Sequence, residues 1–240
     1  MFKFVKHKWI FFIVYIEKKL SGTDVLTNSH KIIQIRFLTE STFVLRIERA
    51  DMQFKPGQHI IVGFRGELNQ REYSVYSGEK DDYLEILVRE VLDGTVSLKL
   101  KQCNPGQLLQ VNGPFGSFGL EKFDMFSRKL IFISSGTGIA PFHSFVKSYH
   151  GINYTLIHGV RNNNEAYERE DYDPKRYILC TSKESNGCHR GRVTSFLPGY
   201  TVDPDMLFYM CGNNSMIYEC YHILRDKGIP DENIFSEVYF

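Results

Sequence analysis

Little in this sequence of 240 residues points to a special environment. An excess of one charge is missing: 29 lysines and arginines face 28 acids, a net +1, so the chain is not built to hold nucleic acid by neutralising phosphates. The five cysteines (Cys103, Cys180, Cys188, Cys211 and Cys220) are odd in number and include no CxxC pair. That excludes a zinc or iron–sulfur centre of ordinary ligand spacing, leaves no metal site to expect, and fits reduced thiols in the cytoplasm. A membrane-spanning helix needs about 20 apolar residues, and the one conspicuous apolar run, residues 9–16, falls well short of that. No small-residue cleavage site follows it. Residues 1–28 are therefore expected to be a peripheral extension, with attachment to a membrane surface through residues 9–16 as the lesser alternative.

What is present is an ordinary globular composition, 42% hydrophobic and 24% charged, with one tryptophan but 19 phenylalanines and 14 tyrosines. The length suits two domains. Residues 31–37, 42–49, 58–65, 71–77, 83–91 and 108–112 alternate apolar and polar side chains between turn signals such as Pro56-Gly57 and Pro105-Gly106. Six short strands without long helices between them predict a small antiparallel barrel. Residues 95–101, between Asp93-Gly94 and a Pro-Gly turn, are expected to form a two-turn capping helix.

Beyond Glu121 the pattern changes. Residues 129–134 read as a strand buried on both faces, followed by a glycine turn and a helix over 139–149. Strands at 154–158, 177–180, 206–211 and 234–239 then alternate with helices at 164–171, 192–197 and 214–227, which predicts a doubly wound parallel sheet. The expected divisions are residues 1–28, 29–122 and 123–240.

Two segments carry recognisable chemistry. Ser134-Ser-Gly136-Thr137-Gly138-Ile-Ala-Pro141 follows the first strand of the α/β half, where a glycine turn opening a helix presents backbone N–H groups to a phosphate. Gly136 and Gly138 let a pyrophosphate approach the main chain closely, although a tight strand–helix turn alone has the same look. In the barrel half, strand alternation sets Arg71 beside Tyr73 on one face and Ser74 beside Tyr76 on the other. An arginine and a tyrosine side by side suit a phosphate and an aromatic ring; a solvated face with an Arg–Glu pair is the plainer alternative.

Six motifs in order, from Ser29 to the chain end, make the sequence resemble the ferredoxin–NADP⁺ reductase family: Arg71-x-Tyr73-Ser74-x-x-Ser77, Gly94-Thr-Val-Ser97, Gly113-Pro-Phe-Gly116, Gly136-Thr-Gly-Ile-Ala-Pro141, Cys211-Gly212 with Met216, and Glu237-Val-Tyr-Phe240. The resemblance implies an FAD-binding barrel and an NADP-binding α/β domain. For FAD it implies Arg71 on the pyrophosphate, Tyr73 against the isoalloxazine, Ser74 near flavin N5, contributions from Leu87, and Gly94, Thr95, Val96 and Ser97 as the second phosphate segment. Tyr239 is implied to cover the flavin where nicotinamide enters, and Phe240 to extend toward the FAD adenine. For NADP it implies Gly136, Thr137 and Gly138 at the pyrophosphate, with Thr137 also an FAD residue where flavin and nucleotide meet, and Cys211, Gly212 and Met216 near the nicotinamide. Arg161, Ser182, Lys183 and Arg192 are implied at the 2′-phosphate. Lys183 stands where arginine is more usual, which keeps the charge but loses bidentate geometry. Ser74, Cys211, Glu237 and Tyr239 are implied at the reacting centre.

The implied activity is hydride transfer from NADPH to FAD, then single-electron transfer to a separate ferredoxin or flavodoxin. The same fold serves reductase components of oxygenases, free-flavin reductases and haem-protein reductases, since the acceptor is chosen by surface. A flavoprotein subunit that relays electrons without catalysis is the alternative of another class. Asp171 and Asp173 are the residues that would instead suit an NAD ribose.

Overall fold

The computed structural model describes residues 28–121, 124–185 and 187–239. The apolar run at 9–16, Phe240 and the expected junction at 122/123 lie outside the described residues.

The first half is an antiparallel sheet of β1 (Ser29–Phe37), β2 (Thr42–Glu48), β3 (His59–Gly63), β4 (Gln70–Ser74), β5 (Tyr83–Arg89) and β6 (Leu108–Phe115). Their order is β4-β3-β6-β1-β2-β5. The two edges meet through a Val75–Ile86 bridge and a 2.7 Å hydrogen bond from Tyr76 N–H to Glu85 O, which closes the barrel. Alternation explains the packing: Phe43, Leu45 and Ile47 of β2 and Leu84, Ile86 and Val88 of β5 fill the interior with Ile32, Ile60 and Val62. Helix α1 (Thr95–Lys101) buries Val96 and Leu100, spaced by four, against this interior.

The second half contains α2 (Asp124–Ser127), β7 (Leu130–Ser135), α3 (Ala140–Ser148), β8 (Tyr154–Val160), β9 (Tyr177–Thr181), β10 (His189–Arg190), α4 (Val193–Phe196), β11 (Leu207–Asn213), α5 (Asn214–Asp226) and β12 (Ile234–Tyr239). The strands are parallel in the order β10-β9-β8-β7-β11-β12. Chain order reverses at β7, so the crevice beyond the carboxyl ends of β7 and β11 is where a ligand binds in such a sheet.

Two helices differ from expectation. Residues 164–171 form two single turns, Asn163–Glu165 and Arg169–Asp171, parted by Glu168 at a left-handed φ of 44°. Arg36 of β1 draws the Glu168 carboxylate away, its Nε donating at 2.9 Å, a partner 132 residues distant that no local pattern announces. The helix expected at 192–197 is a single α turn followed by the turn Leu197–Gly199, because Pro198 cannot continue the ladder. The strand expected at 71–77 is hydrogen-bonded to β3 only as far as Ser74; Val75 and Tyr76 turn toward β5. The two-residue β10 carries no sequence signal.

The halves share one core. Val44, Tyr76 and Leu87 of the barrel lie in the same buried cluster as Phe132, Phe142, Phe145 and Tyr209 of the α/β half, and Phe118 of the connecting segment packs on Phe142, Phe145 and Tyr209. Around that core runs a polar seam. His143 Nδ1 donates to Tyr76 O at 2.6 Å, Ser144 Oγ donates to Ser77 O at 2.7 Å, and Arg36 bridges Glu85 and Glu168. His143 Nε2 faces Asp171 Oδ2 at 2.8 Å, and the Tyr76 and His143 rings stack 3.7 Å apart.

Candidate active site

The crevice is built by two glycine-containing strand ends pressed together. β7 runs into the turn Gly136–Ile139, with Gly136 at φ 54°, and then into α3, whose first turn holds Pro141. A Cβ at Gly138 would lie 2.3 Å from Cys211 O, and one at Gly212, where φ is 134°, would lie 2.4 Å from Ser135 Oγ. Glycine at both positions is what lets the turn and the end of β11 touch. Ser135 Oγ also accepts from Asn213 N–H at 3.0 Å, and Asn213 Oδ1 in turn caps α5 through Ser215 N–H.

His158, at the carboxyl end of β8, supports the turn from behind. It is fully buried, Nε2 donating to Gly136 O at 2.9 Å and Nδ1 accepting from the Tyr177 hydroxyl at 2.6 Å. One donor and one acceptor suit the neutral ring, and burial pushes its pKa down to about 4. Arg89, ending β5, brings its guanidinium to 3.7 Å from the position a Gly136 Cβ would take. Neither residue is in the sequence-based set. The signal that would have found His158 is its place directly before Gly159 at a strand end.

Ladder register places the expected reacting groups side by side. Cys211 of β11 pairs with Ser134 of β7 on one side and Glu237 of β12 on the other, and Asn213 pairs with Tyr239. From the barrel, Ser74 reaches across the halves and its Oγ donates to Glu237 Oε2 at 3.0 Å. Burial, with Glu237 adding to it, pushes the Cys211 thiol well above its ordinary pKa, so it remains a thiol. Burial, then Cys211 and Glu237, raises the Tyr239 phenol likewise, and its hydroxyl is buried without a hydrogen-bond partner of good geometry.

On the barrel side, Arg71 is exposed and, among the described residues, its guanidinium donates to the neighbouring Gln70 O at 2.9 Å. Tyr73 packs partly on the barrel interior, and burial pushes its pKa up to about 12. Gly94 precedes α1, Thr95 and Val96 begin it, and the Ser97 hydroxyl accepts from Val91 N–H at 3.1 Å, which holds the loop before the helix. Leu87 is 4% exposed, its side chain inside the shared core rather than in the crevice.

At the other end of the α/β crevice, Lys183 N–H donates to Arg161 O at 2.9 Å, which brings the ends of β8 and β9 together, and Ser182 stands beside them. Arg192 directly precedes α4. Arg161, Lys183 and Arg192 are all exposed and form no ion pair among the described residues. Met216 is not brought to this crevice: its sulfur accepts from Cys220 Sγ at 3.7 Å, in the core between the sheet and α5. Asp171 and Asp173 are occupied elsewhere, by His143 at 2.8 Å and Arg176 at 3.3 Å.

Residues 29–119 match the family described as Oxidoreductase FAD-binding domain and residues 132–221 the one described as Oxidoreductase NAD-binding domain. The chain belongs to the ferredoxin–NADP⁺ reductase superfamily of flavoprotein reductases. It is 27% identical over 227 residues to the toluate 1,2-dioxygenase electron transfer component of Pseudomonas putida, with 87% of this chain and 66% of that protein covered. It is 28% identical over 203 residues to the terephthalate 1,2-dioxygenase reductase component 1 of a Comamonas species, covering 78% and 60%. The chain thus spans about two thirds or less of these relatives. A ferredoxin NADP+ reductase from Neisseria gonorrhoeae, solved with bound FAD and NADP, has the same fold at a TM-score of 0.78, with 23% identity and 88% and 98% coverage.

FAD and a pyridine nucleotide, the ligands of such flavoprotein reductases, fit the residues present. Arg71 has no acidic partner among the described residues, the Tyr239 hydroxyl is an orphaned polar atom beside Ser74 and Cys211, and the Gly136 turn leaves a side-chain-free cradle facing Arg89.

Proposed function

We propose that this chain is an FAD-dependent reductase that oxidises NADPH and passes electrons singly to a redox protein outside these 240 residues. The observation that carries it is the Ser74 Oγ to Glu237 Oε2 hydrogen bond, which joins the barrel and the α/β half at the carboxyl ends of the sheet, next to Cys211 and Tyr239. FAD, when bound, accepts hydride at N5 and gives it up as two electrons and a proton.

The chain's own residues bind and orient. Arg71, with the backbone of Gly94, Thr95, Val96 and Ser97, holds the FAD pyrophosphate, and Tyr73 packs on the ring. Gly136, Thr137 and Gly138, kept in place by His158, hold the nucleotide pyrophosphate. Cys211 and Gly212 bound the nicotinamide space. Tyr239 occupies that space until the nicotinamide displaces it, which keeps water out, and Ser74 and Glu237 hold the proton.

NADPH is favoured over NADH because Arg161, Lys183 and Arg192 offer unpaired cations with Ser182 at the adenosine end, as a 2′-phosphate requires. The acids that would suit an NAD ribose, Asp171 and Asp173, are tied into ion pairs, and the Glu184 carboxylate accepts from Asn163 N–H at 2.7 Å. The purified protein is expected to bind FAD, bleach on adding NADPH, and do so faster than with NADH. Arg192→Ala is expected to raise KM for NADPH and leave that for NADH alone; equal effects on both would reject the 2′-phosphate assignment. For the acceptor, a ferredoxin or flavodoxin is one reading. The names of the two dioxygenase-system relatives favour a second, the electron-transfer component of an oxygenase. Comparing ferredoxin, flavodoxin and an oxygenase iron–sulfur protein as acceptors separates them.

A further inference from the structure

A second group of side chains stands apart from the expected reacting centre, on the polar seam. His143, one turn into α3, is fixed twice by Tyr76: its Nδ1 donates to the Tyr76 carbonyl at 2.6 Å, and the two rings stack at 3.7 Å. With one proton committed at Nδ1, the neutral ring turns the lone pair of Nε2 toward two carboxylates. Asp171 Oδ2 is 2.8 Å away and Glu168 Oε2 3.9 Å. Lone pairs facing at such a distance repel, so the arrangement calls for a positive charge, either a second proton on the ring or a metal ion. One ligand atom from each of the three residues lies within 4.8 Å of the others. A metal-binding histidine gives its remaining N–H to a carbonyl or carboxylate, and Tyr76 O is that acceptor here.

The neighbouring cations leave these atoms available. Arg36 Nε donates to Oε1 of Glu168 at 2.9 Å, so Oε2 is the oxygen turned to His143. Lys147 Nζ is 3.9 Å from Asp171 Oδ2, outside hydrogen-bond reach. An independent sign comes from Tyr172, which is 3% exposed and whose hydroxyl has no hydrogen-bond partner among the described residues. Its ring meets that of His143 edge-on at 5.8 Å, and the charges of Asp171 and Glu168 act on the phenol. A buried O–H left over beside two carboxylates and a nitrogen lone pair marks a place for a group that the side chains do not supply. Asp171 also lines an open groove of about 380 Å³ with Lys147, Tyr154, Asp173 and Arg176, which gives an ion a way in from solvent.

We propose that His143, Glu168 and Asp171 bind a divalent metal ion of the zinc class, with a water in the fourth position that accepts from the Tyr172 hydroxyl. One imidazole and two carboxylates form a zinc donor set, whereas magnesium takes oxygen ligands alone. Zinc bond lengths of about 2.0–2.2 Å require the Glu168 carboxylate to move inward. Glu168 would then hold the ion through Oε2 and Arg36 of β1 through Oε1, so the ion clips α3 to the turn Arg169–Asp171 and, through Arg36, to the barrel. The site stands independently of the reductase reading.

The FAD-loaded protein, stripped with a chelator, is the material for the test. Calorimetry is expected to show one equivalent of Zn²⁺ bound per chain without competition from Mg²⁺, and zinc is expected to raise the urea midpoint. Co²⁺ in its place is expected to give a spectrum of nitrogen and oxygen ligands with no thiolate charge-transfer band. In NMR of the wild type, the His143 ring signals are expected to shift with the first equivalent of zinc, a readout that needs no variant to fold. His143→Gln and Asp171→Asn are each expected to lower zinc affinity by more than the ~10-fold that losing a mere supporting partner costs. A thiolate band, which would put the ion on a cysteine such as the exposed Cys188, overturns the proposal. So does a zinc shift at another histidine with His143 unmoved, full affinity in both variants, or no binding to the wild type, the last leaving a proton as the charge between His143 and Asp171.

Discussion

Lowering the pH from 8 to 5 should weaken this fold through one buried histidine. His158 is fully buried, and burial pushes its pKa in the folded protein down to about 4 against 6.5 for the exposed residue. Between those values the unfolded chain binds a proton that the folded chain refuses, so stability is full above pH 6.5 and falls as pH drops toward 4. Integrated over that window, the loss is about 2 kcal/mol at pH 5 and about 3 kcal/mol once the folded pKa is passed, with a slope that approaches ~1.4 kcal/mol per pH unit. His158→Gln keeps a donor for Gly136 O but removes the titration. Urea midpoints of both proteins, measured at fixed saturating FAD from pH 8 to 4.5, should therefore converge as the pH falls: the wild type loses stability with a slope about one proton steeper. Parallel curves between pH 6.5 and 4.5 would refute the claim that His158 is held neutral.

Two further perturbations follow from geometry. Gly138→Ala puts a Cβ 2.3 Å from Cys211 O, a backbone atom that cannot swing aside, so the turn must move; NADPH-driven flavin bleaching is expected to slow by about 10²-fold while FAD absorbance stays unchanged. Glu168→Gln removes the partner that Arg36 reaches across the seam. Because Arg36 is about a third exposed, the cost is expected near 1–2 kcal/mol rather than the 3–5 of a fully buried pair, read as a lowered urea midpoint.

Residues whose environment is set by their own strand or turn were legible in the sequence. The alternation in β2 and β5 and the unbroken apolar run of β7 reflect burial on one face or two, and the glycines before α3 mark a close approach. Ser74, Cys211, Glu237 and Tyr239 were nameable from the motifs, and the ladders bring them together. Side chains that depend on distant partners were not legible. Glu168 breaks a helix because Arg36 claims it, and His158 matters because a carbonyl 22 residues earlier needs a donor. Met216 stands next to the crevice in sequence but fills the core behind the sheet, since on α5 its direction is set by helix phase.

The seam between the halves also limits how anything can enter. Tyr76, Leu87 and Phe118 sit in a core continuous with Phe132 and Tyr209, ringed by hydrogen bonds from His143 and Ser144. Swinging the halves apart would wet all of that surface at once and strand the Arg36 and His143 partners, whereas moving the Tyr239 ring disturbs a single side chain. In the proposed reductase, admission to the crevice is a local exchange, one ring for another, that leaves this shared core in place. On that proposal, selectivity for the incoming ring comes from competition with Tyr239 for the same seat.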